Sequence, residues 1–384
     1  MQTLIHNATL VLPERVVEHG WLLIEDERIL DLGEAATCPT ADIQSIDAHA
    51  QMLMAGFIDL HCDAIERLVM PRPNIYFPLT VALEEADWRL AGCGITTEFH
   101  AVSLDDGEFG VRSYSFVREL SNAIADEQSE WLVRHKIHAR LELTSQRGSE
   151  AIVEMIANRE VGLVSLMDHS PGQGQYRTEQ AFRDYVSKMA GASHTEIDEL
   201  IAFKRTQAAH IPGRIEQVTR LAREAELGIA THDDDSAEKV SQWPDFGVTV
   251  SEFPTTMEAA RQAHELGLAV CMGAPNVLRG MSSGGNLSAT EAVRTGVANV
   301  LCADYYPSAM LSAAYKLFKE NVLTLPQALN LITLNPAKAV NMGHDFGSLE
   351  RGKIADMLLV DVSKHGTPYV RYMFVDGREK VVRG

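Results

Sequence analysis

His61 and Asp63, in the stretch GFIDLHCDAIERLVMPRPNIYFP (Gly56 to Pro78), end an apolar run in two side chains able to bind a metal. Alternate side chains of a strand share a face, so His61 and Asp63 point together while Cys62 points away. An imidazole beside a carboxylate is a donor pair for a divalent cation. The same ending recurs along the chain: Glu98 and His100, Glu142, Asp168 and His169, His232 with Asp233 to Asp235, Glu252, and Asp304 each close an apolar run. A lone histidine at a strand end is usually a hydrogen-bonded structural residue. Metal-competent side chains at most of the strand ends point instead to one shared site.

Asp63, Glu142 and Asp304 together would place three negative charges in one semi-buried pocket, which is costly unless cations compensate them. Two divalent ions with one hydroxide balance these carboxylates, so a two-metal site is favoured over a single ion. Mixed nitrogen and oxygen donors suit zinc first, with manganese and iron as alternatives. The stretch GQGQYR (Gly172 to Arg177) lacks the third glycine of a dinucleotide fingerprint. By contrast, APNVLRGMSSGGN (Ala274 to Asn286) offers a Gly/Ser loop with Arg279, the makings of a phosphate cradle. Arg72, pinned between Pro71 and Pro73, presents a second charge at low entropic cost. The expected substrate contacts are Arg72, Gln173, Asn276, Arg279, Ser282, Ser283 and Asn286.

Eight strand-sized apolar runs supply these endings: Gly56–Asp63, Gly94–Ala101, Lys136–Leu143, Val161–His169, Gly228–His232, Val248–Phe253, Ala269–Gly273 and Asn299–Asp304. They alternate with longer amphipathic stretches. Near-continuous apolar strands between helices imply a parallel sheet covered on both faces, and eight units is the count that closes a (β/α)8 barrel, an α/β fold with its site at the carboxyl ends of the strands. Capping patterns place helix starts at Thr195, with Asp198 three residues on, and at Thr324, whose helix is expected to end near Asn335-Pro336. Strand patterns at both chain ends imply a small β-sandwich built from residues 1–52 and 346–384 around a barrel of residues 53–345.

A net charge of −19 repels nucleic acid and anionic membrane surfaces, so an anionic substrate needs a locally basic pocket. No run approaches eighteen consecutive apolar residues, and the N-terminal stretch alternates instead of forming a signal-peptide core. Five cysteines without paired spacing argue against a disulfide framework and for a reducing, cytoplasmic setting. A homo-oligomer is compatible with all of this.

GFIDLH near the start and GSLERGKIADMLLVD (Gly347 to Asp361) near the end resemble the amidohydrolase superfamily. The common His-x-His of that superfamily is His-x-Asp here, a departure shared by one branch that acts on a phosphonate-bearing ribose triphosphate. The stretches LHCDAIERLVMPRP, LVSLMDHSPGQGQY, THDDD, EFPTTMEAA, MGAPNVLRG and DYYP are similar to that branch. The resemblance implies a metal-dependent diphosphatase that releases pyrophosphate from alpha-D-ribose 1-methylphosphonate 5-triphosphate, leaving the 5-phosphate, in phosphonate catabolism. It also implies roles: His61 and Asp63 as ligands of one metal, Glu142 as bridging carboxylate, His169 and His232 as ligands of a second metal, and Asp304 as ligand and general base. The superfamily more often places a carboxylated lysine where Glu142 is expected to act. Two other readings use the same residues: an amidohydrolase cleaving a C–N bond in a cyclic amide, N-acyl amino acid or nucleobase, and a catalytically silent barrel.

Overall fold

The computed structural model describes residues 2–40, 43–104, 111–174, 176, 178–190, 193–282 and 285–383. The chain opens with five strands, β1 (Gln2–Val11), β2 (Val16–Glu25), β3 (Arg28–Gly33), β4 (Gln44–Asp47) and β5 (Met52–Ala55). Eight follow in the middle: β6 (Phe57–Cys62), β7 (Ile95–Leu104), β8 (Arg134–Glu142), β9 (Leu163–Met167), β10 (Gly228–His232), β11 (Val250–Glu252), β12 (Ala269–Gly273) and β13 (Val300–Cys302). The last three are β14 (Met357–Val362), β15 (Pro368–Val375) and β16 (Arg378–Val382). All eight apolar runs of the middle region are therefore strands.

Strands β6 to β13 pair in parallel and in chain order, and β13 returns beside β6. The barrel closes at that seam through two bonds: Asp63 N donates to Asp304 O at 2.8 Å, and Asp304 N donates to His61 O at 2.8 Å. Lower down, Ile332 and Leu331 stand between the two strands, accepting from Ile58 N and Leu301 N. The barrel is filled by Ile58, Leu60, Phe99, Leu163, Val250 and Val300, with Cys271 and Cys302 as small core residues, a packed core instead of a pore. All five cysteines are free.

The remaining strands form a second sheet in the order β16-β15-β14-β5-β1-β2-β3, with β4 beside β1. Strand β5 belongs to it, so the terminal sheet reaches past residue 52. The apolar run Met52–Leu60 reads as continuous, but the chain breaks it at Gly56, where a Cβ would collide with the Thr96 side chain. Gly94 makes the other close approach: its φ is +87°, and a Cβ there would lie 2.8 Å from Leu358 and Phe57.

Two helix boundaries differ from the sequence expectation. The helix expected to start at Thr195 is capped by Ser193, whose hydroxyl accepts from Glu196 N while Glu196 returns to the Ser193 backbone. A serine three residues before a glutamate is the stronger box. Thr324 caps its helix as expected, but that helix ends at Asn330, and Asn335-Pro336 lie in the first turn of the next one, Leu334–Ala339. Proline is tolerated there because first-turn N–H groups have no intrahelical acceptor. Among the described residues, no helix is long and apolar enough to cross a membrane.

Candidate active site

A cavity of about 510 Å³ opens at the carboxyl ends of the barrel strands. It is lined by His61, Asp63, His169, His232, Asp304, Asn276, Arg279, Ser282 and Asn286, so the structure brings most of the expected site residues to one place. Ser283 lies outside the described residues. Three backbones at this rim adopt the left-handed region without glycine: Asp233 (φ 56°), Phe253 (φ 51°) and Asp304 (φ 60°), each immediately after its strand or one residue beyond. Such strain concentrates where side chains are aimed at a function.

Two compact donor clusters stand side by side. His61, His138 and Glu252 form one, and His169, His232 and Asp233 the other, with candidate ligand atoms within 4.8 Å in each. The His61 and His232 rings are 5.5 Å apart, so the clusters are neighbours. His61 Nδ1 lies 3.3 Å from Glu252 Oε2, His138 Nε2 lies 3.7 Å from the same oxygen, and His232 Nδ1 lies 3.1 Å from Asp233 Oδ2. Even so, His61 Nδ1, His138 Nε2, His232 Nδ1, Glu252 Oε1 and Asp63 Oδ1 are buried with no hydrogen-bond partner. Buried donor atoms rarely go unpaired, and a mixed N/O set with orphaned atoms converging from several strands fits a divalent metal centre.

Charge sets the protonation pattern. Burial, with Arg140 and His232 beside it, holds His61 well below the usual imidazole range. Burial likewise pulls His138 down to about 3, so both rings are neutral and ligand-competent. His169 goes the other way: Asp233 and Glu142 outweigh its burial and raise it to about 9. Burial, aided by Asp63, pushes Asp304 up to about 7. Gly273 leaves room for that carboxylate, since a Cβ there would sit 3.1 Å from Asp304 Oδ2.

Some expected residues stand elsewhere. Glu142 is fully buried behind the cavity wall, where its Oε1 accepts from Lys204 Nζ at 3.0 Å and Thr144 at 2.8 Å, and both its oxygens lie 3.3 Å from His169 N. With its lone pairs taken, Glu142 acts in this structure as an anchor for Lys204 and His169 instead of facing the pocket. Lys204 and His169 overcome the cost of burial and hold it down to about 2. Arg72 is exposed in the turn it forms with Ile75, and Gln173 is exposed in the turn after β9, so neither lines the cavity. Asn276 spans its own loop, donating to Leu287 O and accepting from Ala289 N, which ties down the Gly-rich segment that follows. Glu98 and His100 are not strand ends, because β7 runs on to Leu104; both point outward, lining a small cavity under the helix Leu79–Cys93. Asp234 is a buried acceptor for Thr231 and Trp243. Asp168 accepts from Ser170 N within its own turn.

Sequence reasoning missed His138, Arg140 and Lys204. The first two were within reach, since His138, Arg140 and Glu142 alternate on one face of β8. Arg140 Nη2 donates to His232 Nε2 at 3.1 Å. Lys204 had no local signal. It comes from the helix His194–Gln207, which pairs with Glu179–Ala190 over its own apolar cluster of Tyr176, Phe182, Val186, Ile197 and Ile201.

The amidohydrolase family model matches residues 52–383, and the chain belongs to the amidohydrolase family. Members of this superfamily bind divalent metals, and the chain is one of its hydrolases. It is 34% identical over 363 residues to the alpha-D-ribose 1-methylphosphonate 5-triphosphate diphosphatase of Escherichia coli (strain K12), covering 93% of this chain and 94% of that one. A more distant relative is the 5-methylthioadenosine/S-adenosylhomocysteine deaminase of Syntrophomonas wolfei, 22% identical with coverage of 92% and 83%. Among solved structures, a prolidase complexed with N-methylphosphonate-L-proline superposes with a TM-score of 0.67 at 17% identity over 100% of both chains. Molinate hydrolase does so with a TM-score of 0.68 at 15% identity over 98% and 94%. At these identities the two structures speak for the fold.

Proposed function

We propose that the protein is a metal-dependent diphosphatase that cleaves a ribose 5-triphosphate bearing a 1-phosphonate, as the name of its E. coli relative describes, releasing pyrophosphate. The observation that carries this reading is the charge of the cavity wall. In a chain of net charge −19, five cations, Arg67, Arg112, Arg140, Lys204 and Arg279, line one pocket beside the carboxylates Asp63, Glu66, Asp233 and Asp304. Cyclic amides or acyl amino acids do not need so many cations, whereas a polyphosphate does.

His61, His138 and Glu252 would hold one divalent ion and His169, His232 and Asp233 a second, with zinc the first expectation and manganese or iron as alternatives. Such ions supply Lewis acidity toward a phosphoryl oxygen and acidify water. Asp304, at the barrel seam and beside Asp63, takes a proton from the attacking water at its carboxylate. Asp63 stays on the wall with Arg112 Nη2 at 3.8 Å, and Arg112 Nε donates to both oxygens of Glu66. Arg279 makes no ion pair among the described residues, so its guanidinium is available to the departing pyrophosphate, with Ser282 and Asn286 near it. Lys204, anchored on Glu142, neutralises phosphate oxygens from the helical side. Five free cysteines suit a cytoplasmic setting.

The test is phosphorus NMR of the products formed from alpha-D-ribose 1-methylphosphonate 5-triphosphate with zinc or manganese added. Pyrophosphate and the 5-phosphate are expected. Release of orthophosphate alone, or faster hydrolysis of an amide or a nucleobase C–N bond, would replace this reading.

A further inference from the structure

Outside the pocket, two carboxylates face each other beside a small cavity under the helix Leu79–Cys93. Asp59 and Glu98 are register partners on β6 and β7, both fully buried, with Cys62 beside them. Their surroundings are the apolar Ala64, Ile65, Leu68, Ala86 and Leu90, with His100, whose Nε2 pairs with His135, lining the same small cavity. Arg89 lines the same small cavity, but no ion pair among the described residues joins it to either carboxylate. Asp59 Oδ2 and both oxygens of Glu98 have no hydrogen-bond partner.

Two ionised carboxylates cannot share such a site, so a proton or a cation must lie between them. The hydrogen bonds decide which residue is the anion. Asp59 Oδ1 accepts from Ala303 N at 2.9 Å and from His61 N at 3.3 Å, and both bonds favour its ionised form. Glu98 has no donor to stabilise a charge.

The position of Asp59 gives this pair a purpose. At the seam, β13 and β6 are joined above by the Asp63–Asp304–His61 backbone bonds and below only through Leu331 and Ile332. Between those levels the Asp59 carboxylate spans the gap, holding the N–H of His61 on one side and that of Ala303, next to Asp304, on the other. We propose that Glu98 carries a proton and donates it in a hydrogen bond to Asp59 Oδ2, so that Asp59 acts as a positioning residue that sets the spacing of His61 and Asp63 against Asp304. This rests on the reading of His61 as a metal ligand and of Asp304 as the base beside it, but it does not depend on which substrate the centre serves.

The experiment compares Glu98→Gln, whose amide can still donate, with Asp59→Ala. The metal-free proteins are titrated with zinc against a chromophoric chelator, and infrared difference spectra are recorded at neutral pH for wild type against Glu98→Gln. The expected spectrum loses the C=O band of a neutral carboxylic acid in the variant. Glu98→Gln should keep zinc affinity within about threefold, while Asp59→Ala weakens it on the order of ten- to a hundredfold, as loss of a group orienting a ligand does. Turnover by Asp59→Ala should fall in kcat more than it rises in KM. Absence of the acid band, or loss of one zinc equivalent in Glu98→Gln, would overturn the proposal in favour of an ionised pair around a cation. Unchanged zinc affinity in Asp59→Ala would also overturn it. Should Asp59→Ala fail to fold, the infrared band and the Glu98→Gln stoichiometry still decide. A failed pyrophosphate assay with these outcomes intact would refute only the substrate.

Discussion

At the scale of single residues, Arg279 and Lys204 are where the proposed phosphate-handling pocket would differ from a generic metal site. Arg279→Ala should raise KM for the triphosphate ten- to a hundredfold, the effect of one charge-assisted contact of about 1.5–3 kcal/mol, while a neutral ester control stays unchanged. Equal weakening of both substrates would make the arginine structural. Asp304→Asn should abolish turnover yet keep near-normal metal content if Asp304 has the proposed role of general base, which acts on the water more than on the ions; metal analysis of the purified variant checks this. Lys204→Met removes one of the two cations, Lys204 and His169, that hold the buried Glu142 and should cost about 3–5 kcal/mol in the metal-free protein, measured by urea unfolding. The pH dependence has a definite sign. Glu142 is held at about 2, below an unfolded value near 4.3, so its contribution is present above the unfolded value and is lost as pH falls toward 2. Lys204→Met should flatten the stability profile across that window.

At the scale of elements, the eight barrel strands were legible because each is a short apolar run bounded by polar residues, and their carboxyl ends supplied His61, Asp63, His169, His232, Asp233 and Asp304 to the pocket. What escaped was set by geometry beyond the local pattern. His138 sits mid-strand on β8, so a rule that looks only at strand ends passes over it, although alternation puts it on the face of Glu142. Glu98 and His100 looked terminal because β7 continues through the polar-tolerant Val102-Ser103-Leu104. Arg72 lies between prolines, which stiffen the backbone but say nothing about its direction, and the turn carries it outward. Lys204 depends on how a helical pair folds back over the rim, a long-range fact. That pair offers its own prediction. Ser193→Ala removes one half of a capping box worth about 1 kcal/mol, so amide exchange in the first turn of His194–Gln207 should accelerate roughly fivefold, read by exchange mass spectrometry. Unaltered exchange would mean that tertiary packing, not the cap, holds this helix.

At the scale of the whole molecule, the terminal sheet and the barrel share one apolar core: Leu358, Val360, Val370 and Met373 pack in the same cluster as barrel-covering helix residues such as Leu83, Leu90 and Leu317. The two units should therefore melt together. Met373→Ala, at a fully buried position, should cost about 2–5 kcal/mol and lower the midpoint of a single calorimetric transition instead of splitting it. Two resolved transitions would show the sheet to be an independent unit. The seam where His61, Asp63 and Asp304 meet also sets the order in which the molecule can mature. Asp59 and Ala303 are 244 residues apart in the chain yet directly bonded, and chains emerge from the ribosome N-terminus first. His61 and Asp63 are thus synthesised long before Asp304 reaches them. The nascent protein carries its early histidines and acids without the strand that spaces them, and the proposed metal centre could be completed only at the last stage of biosynthesis.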